Sequence, residues 1–351
     1  MMRRCLLVAA LGLLLAGSSS FIQGSAGVFP GFIAMPDVTP RGVAVDKVGN
    51  VFVSVGDVST GAEVIHVRKY APDGELLFSV EIGQGTIGGL MTSANGDLYV
   101  AVAAGAARGV YRLDREGQIE LLPGSDDIFF ANGLAFDNVG TLYVTESVSP
   151  ASTPPGQGGI WRIPRGGEAA LCVRGALLTG TGALAQPVPM GANGIAYYQG
   201  DLYVTNTERG TVVRVAVWPD GSVGVPELWT TLAEVPESPL YGAPTAPMGD
   251  GIAVDVHGDL YVAVLTRSAI VRLNLMDKSQ TTVAAFRVST SLPKYAKLDF
   301  PASIFFGTGK GERESLFVTN LGMGKIRVPP LPWAGPGLVK IDAGVAGWPL
   351  H

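Results

Sequence analysis

Three residues of this chain could share one piece of chemistry if the fold brought them together. Asn132, Asn193 and Asp250 each stand before a glycine and a short apolar run, in Asn132-Gly-Leu-Ala-Phe-Asp137, Asn193-Gly-Ile-Ala-Tyr-Tyr198 and Asp250-Gly-Ile-Ala-Val-Asp255. Two amide oxygens and a carboxylate are hard donors that suit calcium, whose remaining positions water can fill. Asp250 is also the best candidate for a general base. The plainer alternative is that Asn-Gly before a strand is turn chemistry. A histidine or thiolate metal site is not expected. His66 falls in a strand-like run, His257 falls in a turn, and Cys172 reads as a buried small hydrophobe rather than a nucleophile.

The elements that must position these residues form a repeat. Six copies align: Arg41–Asp46 with Val51–Ser54, Gly88–Ser93 with Leu98–Ala101, Asn132–Asp137 with Leu142–Thr145, Asn193–Tyr198 with Leu202–Thr205, Asp250–Asp255 with Leu260–Ala263, and Ala302–Gly307 with Leu316–Thr319. Their starts lie 47, 44, 61, 57 and 52 residues apart. A period of this size with strand patterns throughout predicts an all-β, six-bladed β-propeller of four-stranded antiparallel blades around a central channel. The first run of each copy is apolar enough to be an inner strand. The third, as in Ile160-Trp-Arg-Ile163, alternates apolar and charged residues and belongs nearer the rim. Many of the 48 glycines fall in the hairpin turns this plan requires. Loops at Ser147–Gly159 and Val235–Gly249 are expected to be long. A strand at 337–342 or at 28–35 is expected to complete a blade begun at the other end of the chain, which would protect the sheet edges.

The start of the chain has a different character. Arg3-Arg4, an apolar run from Cys5 to Ala16 and the small residues Gly24-Ser25-Ala26 read as a secretory signal peptide over residues 1–26, leaving 27–351 as one propeller domain. The protein is therefore expected to be exported, periplasmic or extracellular, and monomeric. With Cys5 removed, Cys172 has no disulfide partner. No later apolar stretch is long enough to suggest membrane insertion. A net charge of −5 and a pI near 5.3 give no reason to expect nucleic acid, so the expected partner is a small-molecule substrate or ligand.

In a propeller, the first residues of the six inner runs, Arg41, Gly88, Asn132, Asn193, Asp250 and Ala302, ring one mouth of the channel. Glu146 ends the strand beside Asn132, which makes it a second candidate base at the same rim. Asn206 and Asn320 hold equivalent places, where capping a strand end is the plainer role. The Asn, Asn, Asp series in consecutive blades resembles the senescence marker protein and gluconolactonase family, regucalcin-like propellers with paraoxonases and strictosidine synthases as more distant relatives. The resemblance covers all six copies and implies that Asn132, Asn193 and Asp250 hold a divalent cation, usually calcium, in a lactone hydrolase. It also implies a glutamate where this chain has Arg41, and a guanidinium cannot ligate a cation. Either Arg41 reaches the mouth and replaces the metal, or it points outward and the three ligands remain. The histidine pair of paraoxonase-type sites has no counterpart.

Hydrolysis at such a mouth takes a definite form. A cation or Arg41 stabilises the oxyanion of a lactone or ester, and Asp250 or Glu146 activates water. Two other functions fit the same scaffold: a non-catalytic NHL-like propeller that binds a protein or small ligand, and a strictosidine synthase-like or lyase activity.

Overall fold

Each copy of the repeat contains two apolar runs separated by a glycine-containing turn, which begins with Asp or Ser in the first, second, third and fifth copies, and this local chemistry makes a hairpin. Asp46 Oδ1 accepts the amides of Val48 and Asn50 at 3.1 and 2.9 Å, and Asp137 Oδ1 those of Val139 and Thr141 at 3.0 and 2.8 Å. Asp255 Oδ1 does the same for His257 and Asp259. Gly49, Gly140 and Gly258 follow at φ of 92°, 88° and 91°, a region other residues enter only at a cost. The aspartate that closes the inner-strand motif is thus a turn residue.

The computed structural model describes residues 30–59, 63–183, 189–235, 246–286, 297–323 and 334–350. The proposed leader lies outside the described residues, as do residues 236–245 of the second expected loop. Among the described residues there are six four-stranded antiparallel sheets and three short 3-10 turns. With strands numbered in chain order, the inner strands are β2 (Thr39–Val45), β6 (Thr86–Thr92), β10 (Ala131–Phe136), β14 (Ala192–Tyr198), β18 (Gly249–Val254) and β22 (Pro301–Phe306). Each contacts the next, and β22 contacts β2, so the ring closes. The expected six-bladed propeller is the observed fold.

Closure uses both ends of the chain. The sixth blade runs β22, β23 (Ser315–Asn320), β24 (Gly337–Asp342) and, outermost, β1 (Phe32–Ala34). Phe32, Ile33 and Ala34 pair with Val339, Leu338 and Gly337. The N-terminal strand therefore completes the last blade, with three residues rather than the longer run expected. The first expected loop is also shorter than the sequence suggests. β11 (Leu142–Ser149) continues through Ser149, and the next strand, β12 (Gln157–Ile163), follows.

Apolar side chains collect between blades. Tyr198, Val212 and Trp229 of blade 4 meet Val254, Leu260 and Val262 of blade 5 in one cluster. Blade 5 meets blade 6 through Tyr261, Ile270, Phe306 and Leu316 in another. Each blade is a thin sheet that buries both faces against its neighbours, so stability depends on every seam being filled.

Candidate functional site

The six ring residues share one local structure. In every blade the pairing of the inner strand with the next one skips, between Pro40 and Val43, Ile87 and Leu90, Ala131 and Leu134, Ala192 and Ile195, Gly249 and Ile252, and Pro301 and Ile304. Each skip is a β-bulge with one extra residue, and a bulge redirects side chains and bends the strand. Arg41, Gly88, Asn132, Asn193, Asp250 and Ala302 are the first residues of these bulges. They therefore sit inside the strands, not before them as the sequence alone suggests.

The glycine after each of the first five has a steric cause. A Cβ on Gly133 would fall 2.4 Å from the Asn193 carbonyl oxygen, and one on Gly194 would fall 2.4 Å from that of Asp250. A Cβ on Gly251 would meet Ser303 Cα at 2.7 Å. The bulges of adjacent blades approach so closely that only glycine fits. Asn-Gly here marks a blade seam rather than a turn.

Hydroxyls on the second strands latch these seams. Gly133 N donates to Thr145 Oγ1 at 2.7 Å, and Thr145 Oγ1 donates to Asn193 O at 2.5 Å in the next blade. Ser54 likewise accepts from Gly42 N and donates to Gly88 O. Thr205 donates to Asp250 O at 2.6 Å, and Thr319 donates to Arg41 O across the closure. Blades 2 and 5 carry Ala101 and Ala263 at this position and lack the latch.

A second hydroxyl layer orients the two amides. Ser147 Oγ donates its only proton to Ala192 O at 2.6 Å, so it must accept from Asn132 Nδ2, 3.0 Å away. Thr207 Oγ1 donates to Gly249 O and accepts from Asn193 Nδ2, both at 2.9 Å. With the nitrogens fixed in this way, the amide oxygens face away from the hydroxyls. Leu265 follows at the corresponding place in blade 5, so no hydroxyl holds Asp250 there.

Burial pushes the Asp250 carboxyl up to about 7, against the opposing effects of the Arg41 charge and a hydrogen bond from Asn193. Arg41 is half-buried, and its Nε has no hydrogen-bond partner among the described residues. Its charge acts on Asp250 through space, and also on Glu63, whose carboxyl is raised by burial. Asp250, Asn193 and Arg41 are therefore brought to one place. Asn132 stands one blade away with its amide fixed in the same manner.

Glu146 has a different role from the one its position suggests. Fully buried, it accepts from Phe129 N at 3.0 Å through one oxygen, and from Trp161 Nε1 at 2.8 Å and Arg174 at 2.6 Å through the other. With both oxygens held, Glu146 ties blade 3 together and is not placed to take a proton from water. Thr145 and Ser147 face the next blade, so the period-2 alternation of a strand turns Glu146 away from them. Asn206 anchors the 177–179 segment through Leu177 O and Thr179 O, and Asn320 donates to Lys297 O. Both keep the capping role expected of them. Cys172 lies half-buried on an outer strand with its thiol pushed up to about 11 by burial, which suits a packing residue. Glu63 and the hydroxyls of Ser147 and Thr207 did not stand out in the sequence. A search of second-strand ends for polar residues at matching register would have found the hydroxyls.

Calcium would need Asp250 together with the amide oxygens of Asn132 and Asn193. Among the described residues no three His, Cys, Asp or Glu side chains gather as a metal cluster. The one carboxylate of the set already lies in the field of Arg41. A donor set with a single negative charge and an adjacent guanidinium does not fit a resident divalent cation.

No family model and no curated protein matches the sequence. Solved structures do match the fold. A luciferin-regenerating enzyme aligns with TM-score 0.60 at 16% identity, over 88% of this chain and 93% of that one. A regucalcin from Agrobacterium tumefaciens, described as calcium-binding, aligns with TM-score 0.60 at 14% identity, over 93% and 99%. A gluconolactonase from Xanthomonas campestris aligns with TM-score 0.55 at 17% identity, over 87% and 86%. The chain shares the six-bladed propeller of gluconolactonase-like and regucalcin-like proteins.

Proposed function

We propose that the protein is an exported propeller hydrolase acting on a small lactone or ester at the mouth ringed by Arg41, Asn132, Asn193 and Asp250. One observation carries this reading. A half-buried guanidinium whose Nε has no partner among the described residues acts across the mouth on a carboxyl whose pKa is about 7. A base poised near neutral pH and a fixed positive charge are the two groups that acyl hydrolysis needs. The gluconolactonase of the same fold supports the substrate class, and the leader-like residues 1–26 support export.

Asp250 as carboxylate takes a proton from water as that water's oxygen attacks the carbonyl carbon. The carbonyl oxygen becomes an oxyanion stabilised by Arg41. As the tetrahedral intermediate collapses, the ring C–O bond breaks and Asp250 returns its proton to the departing oxygen, giving a hydroxy acid. Asn193 holds the Asp250 carboxyl through its amide, and Asn132 is available to a substrate hydroxyl.

The test is hydrolysis of a γ- and δ-lactone panel by the mature protein, with and without calcium and with a chelator present. Turnover unaffected by the chelator, lost in Asp250→Asn and reduced about 10²- to 10³-fold but still measurable in Arg41→Met, is the expected result. Calcium-dependent turnover would return the cation to the mechanism. No turnover on any lactone or aryl ester would leave a binding propeller.

A further inference from the structure

The far end of the channel is chemically unlike the mouth. A cavity of about 490 Å3 runs from the bulge glycines to the C-terminal ends of the inner strands. Leu90, Met91, Phe136, Tyr197 and Phe305 contribute to its wall. The C-terminal strap closes its side. Val256 N donates to Ala346 O at 3.0 Å, Trp348 N donates to Val254 O at 2.8 Å, and the Trp348 ring meets Tyr198 edge-on with centroids 4.7 Å apart. The strap lies so close that a Cβ on Gly347 would fall 2.2 Å from Phe306.

Charge here has one sign. Among the described residues, Lys47 and Arg313 are the charged members of the lining, and no Asp or Glu side chain lines it. Both stand on turns that meet where blade 6 abuts blade 1. Thr308 Oγ1 donates to Asp46 O, and Gly309 Cα would lie 3.2 Å from a Cβ on Gly49. Thr92 Oγ1 gives its proton to Val45 O at 2.8 Å, so both threonine hydroxyls of the lining are spent as donors. Ser303, deep in the channel, and the two rim cations remain to meet a ligand. An apolar shaft with a positive rim on one side selects an apolar body with a single negative head. The volume falls within the range of small-molecule sites, roughly 300–1,000 Å3.

We propose that this cavity is a second binding site, distinct from the mouth, for a small monocarboxylate with an apolar body. Its aliphatic chain lies in the channel, and its carboxylate lies between Lys47 and Arg313. The site makes no use of Arg41 or Asp250, so it stands or falls independently of the hydrolase reading.

The test is calorimetric titration of the mature protein with octanoate, hexanoate and octan-1-ol, each read alongside Trp fluorescence. Octanoate is expected to bind one per chain, about fifteenfold more tightly than hexanoate at about fourfold per methylene, and at least tenfold more tightly than octan-1-ol. The Lys47→Ala, Arg313→Ala double variant, with both changes on the surface, should bring octanoate down to the affinity of octan-1-ol. Ala253→Phe should abolish both, with Met91→Phe as a milder filling and circular dichroism checking that each variant is folded. Equal affinity for octanoate and octan-1-ol would overturn the proposal. So would octanoate binding unchanged in the double variant or in a folded cavity-filled variant, and so would no octanoate binding at millimolar concentration.

Discussion

A carboxyl held at about 7 is a cost as well as a tool. The Asp250 pKa rises from the 3.8 of an ordinary carboxyl, so the folded protein binds that proton more tightly than the unfolded chain. The sign follows. There is no penalty below about pH 4, stability falls as pH rises from about 4 to about 7, and the loss is complete above that. Because Asp250 is partly accessible, the full shift overstates the penalty, and about 1–3 kcal/mol is expected. Asp250→Asn should therefore be more stable than the parent by that amount at pH 8 and nearly equal at pH 4.5, measured by urea unfolding at both. Hydrolysis by the parent should rise with pH through about 7. Arg41→Met should move that rise to higher pH, because the Arg41 charge holds the Asp250 pKa down. Glu146→Ala should act differently. It leaves Arg174, Trp161 Nε1 and Phe129 N without their acceptor and should cost about 3 kcal/mol, while the pH profile of turnover keeps its midpoint. A shifted midpoint in folded Glu146→Ala would put Glu146 back at the site. The sequence suggested Glu146 because strand-end position gives a residue's height along the blade. It does not give the face on which the side chain emerges, and there Thr145 and Ser147 claim the seam.

At the scale of the strand, the repeat was legible for physical reasons. Apolar runs, Asp-capped turns and glycines at φ near 90° are local signals, and they sufficed for blade number and inner-strand identity. The bulge was not legible, since it exists only in the pairing of two strands. Turn chemistry, the plainer alternative for Asn-Gly, is therefore not its reason, while the ring positions were aligned correctly. Gly194→Ala checks the steric account. Its Cβ would be driven against the Asp250 carbonyl, with a cost of about 1–3 kcal/mol or more, seen as a lowered urea midpoint and as lost turnover if Asp250 is displaced. By contrast, Gly140→Ala, at an open turn with nothing near its would-be Cβ, should cost only the strain of its positive φ, about 1 kcal/mol. Equal losses in the two variants would contradict crowding at the seam.

Across the whole molecule, closure depends on three residues from one end of the chain lying along six from the other. Sequence patterns showed that the ends must meet, but not which end supplies the outer strand, because both read as short apolar runs. Removing residues up to Ala34 should expose the edge of β24 and destabilise the sixth blade. Analytical size exclusion should then show association, while a protein that stays monomeric with an unchanged melting temperature would mean that β1 contributes little. Glu63 was equally out of reach of the sequence. It belongs to no repeat position and acquires meaning only by facing Arg41.

The two blades without a hydroxyl latch, at Ala101 and Ala263, stand three apart and so opposite one another on the ring. Near the axis the propeller is therefore two half-rings. Blades 3, 4 and 5 are bolted together by Thr145 and Thr205, and blades 6, 1 and 2 by Thr319 and Ser54. Asn132, Asn193 and Asp250 ride on one half, and Arg41 rides on the other. Any breathing along that diameter changes the distance between the guanidinium and the carboxyl while leaving the amide–carboxyl arc intact, so the fault line of the scaffold passes between the two charges of the site.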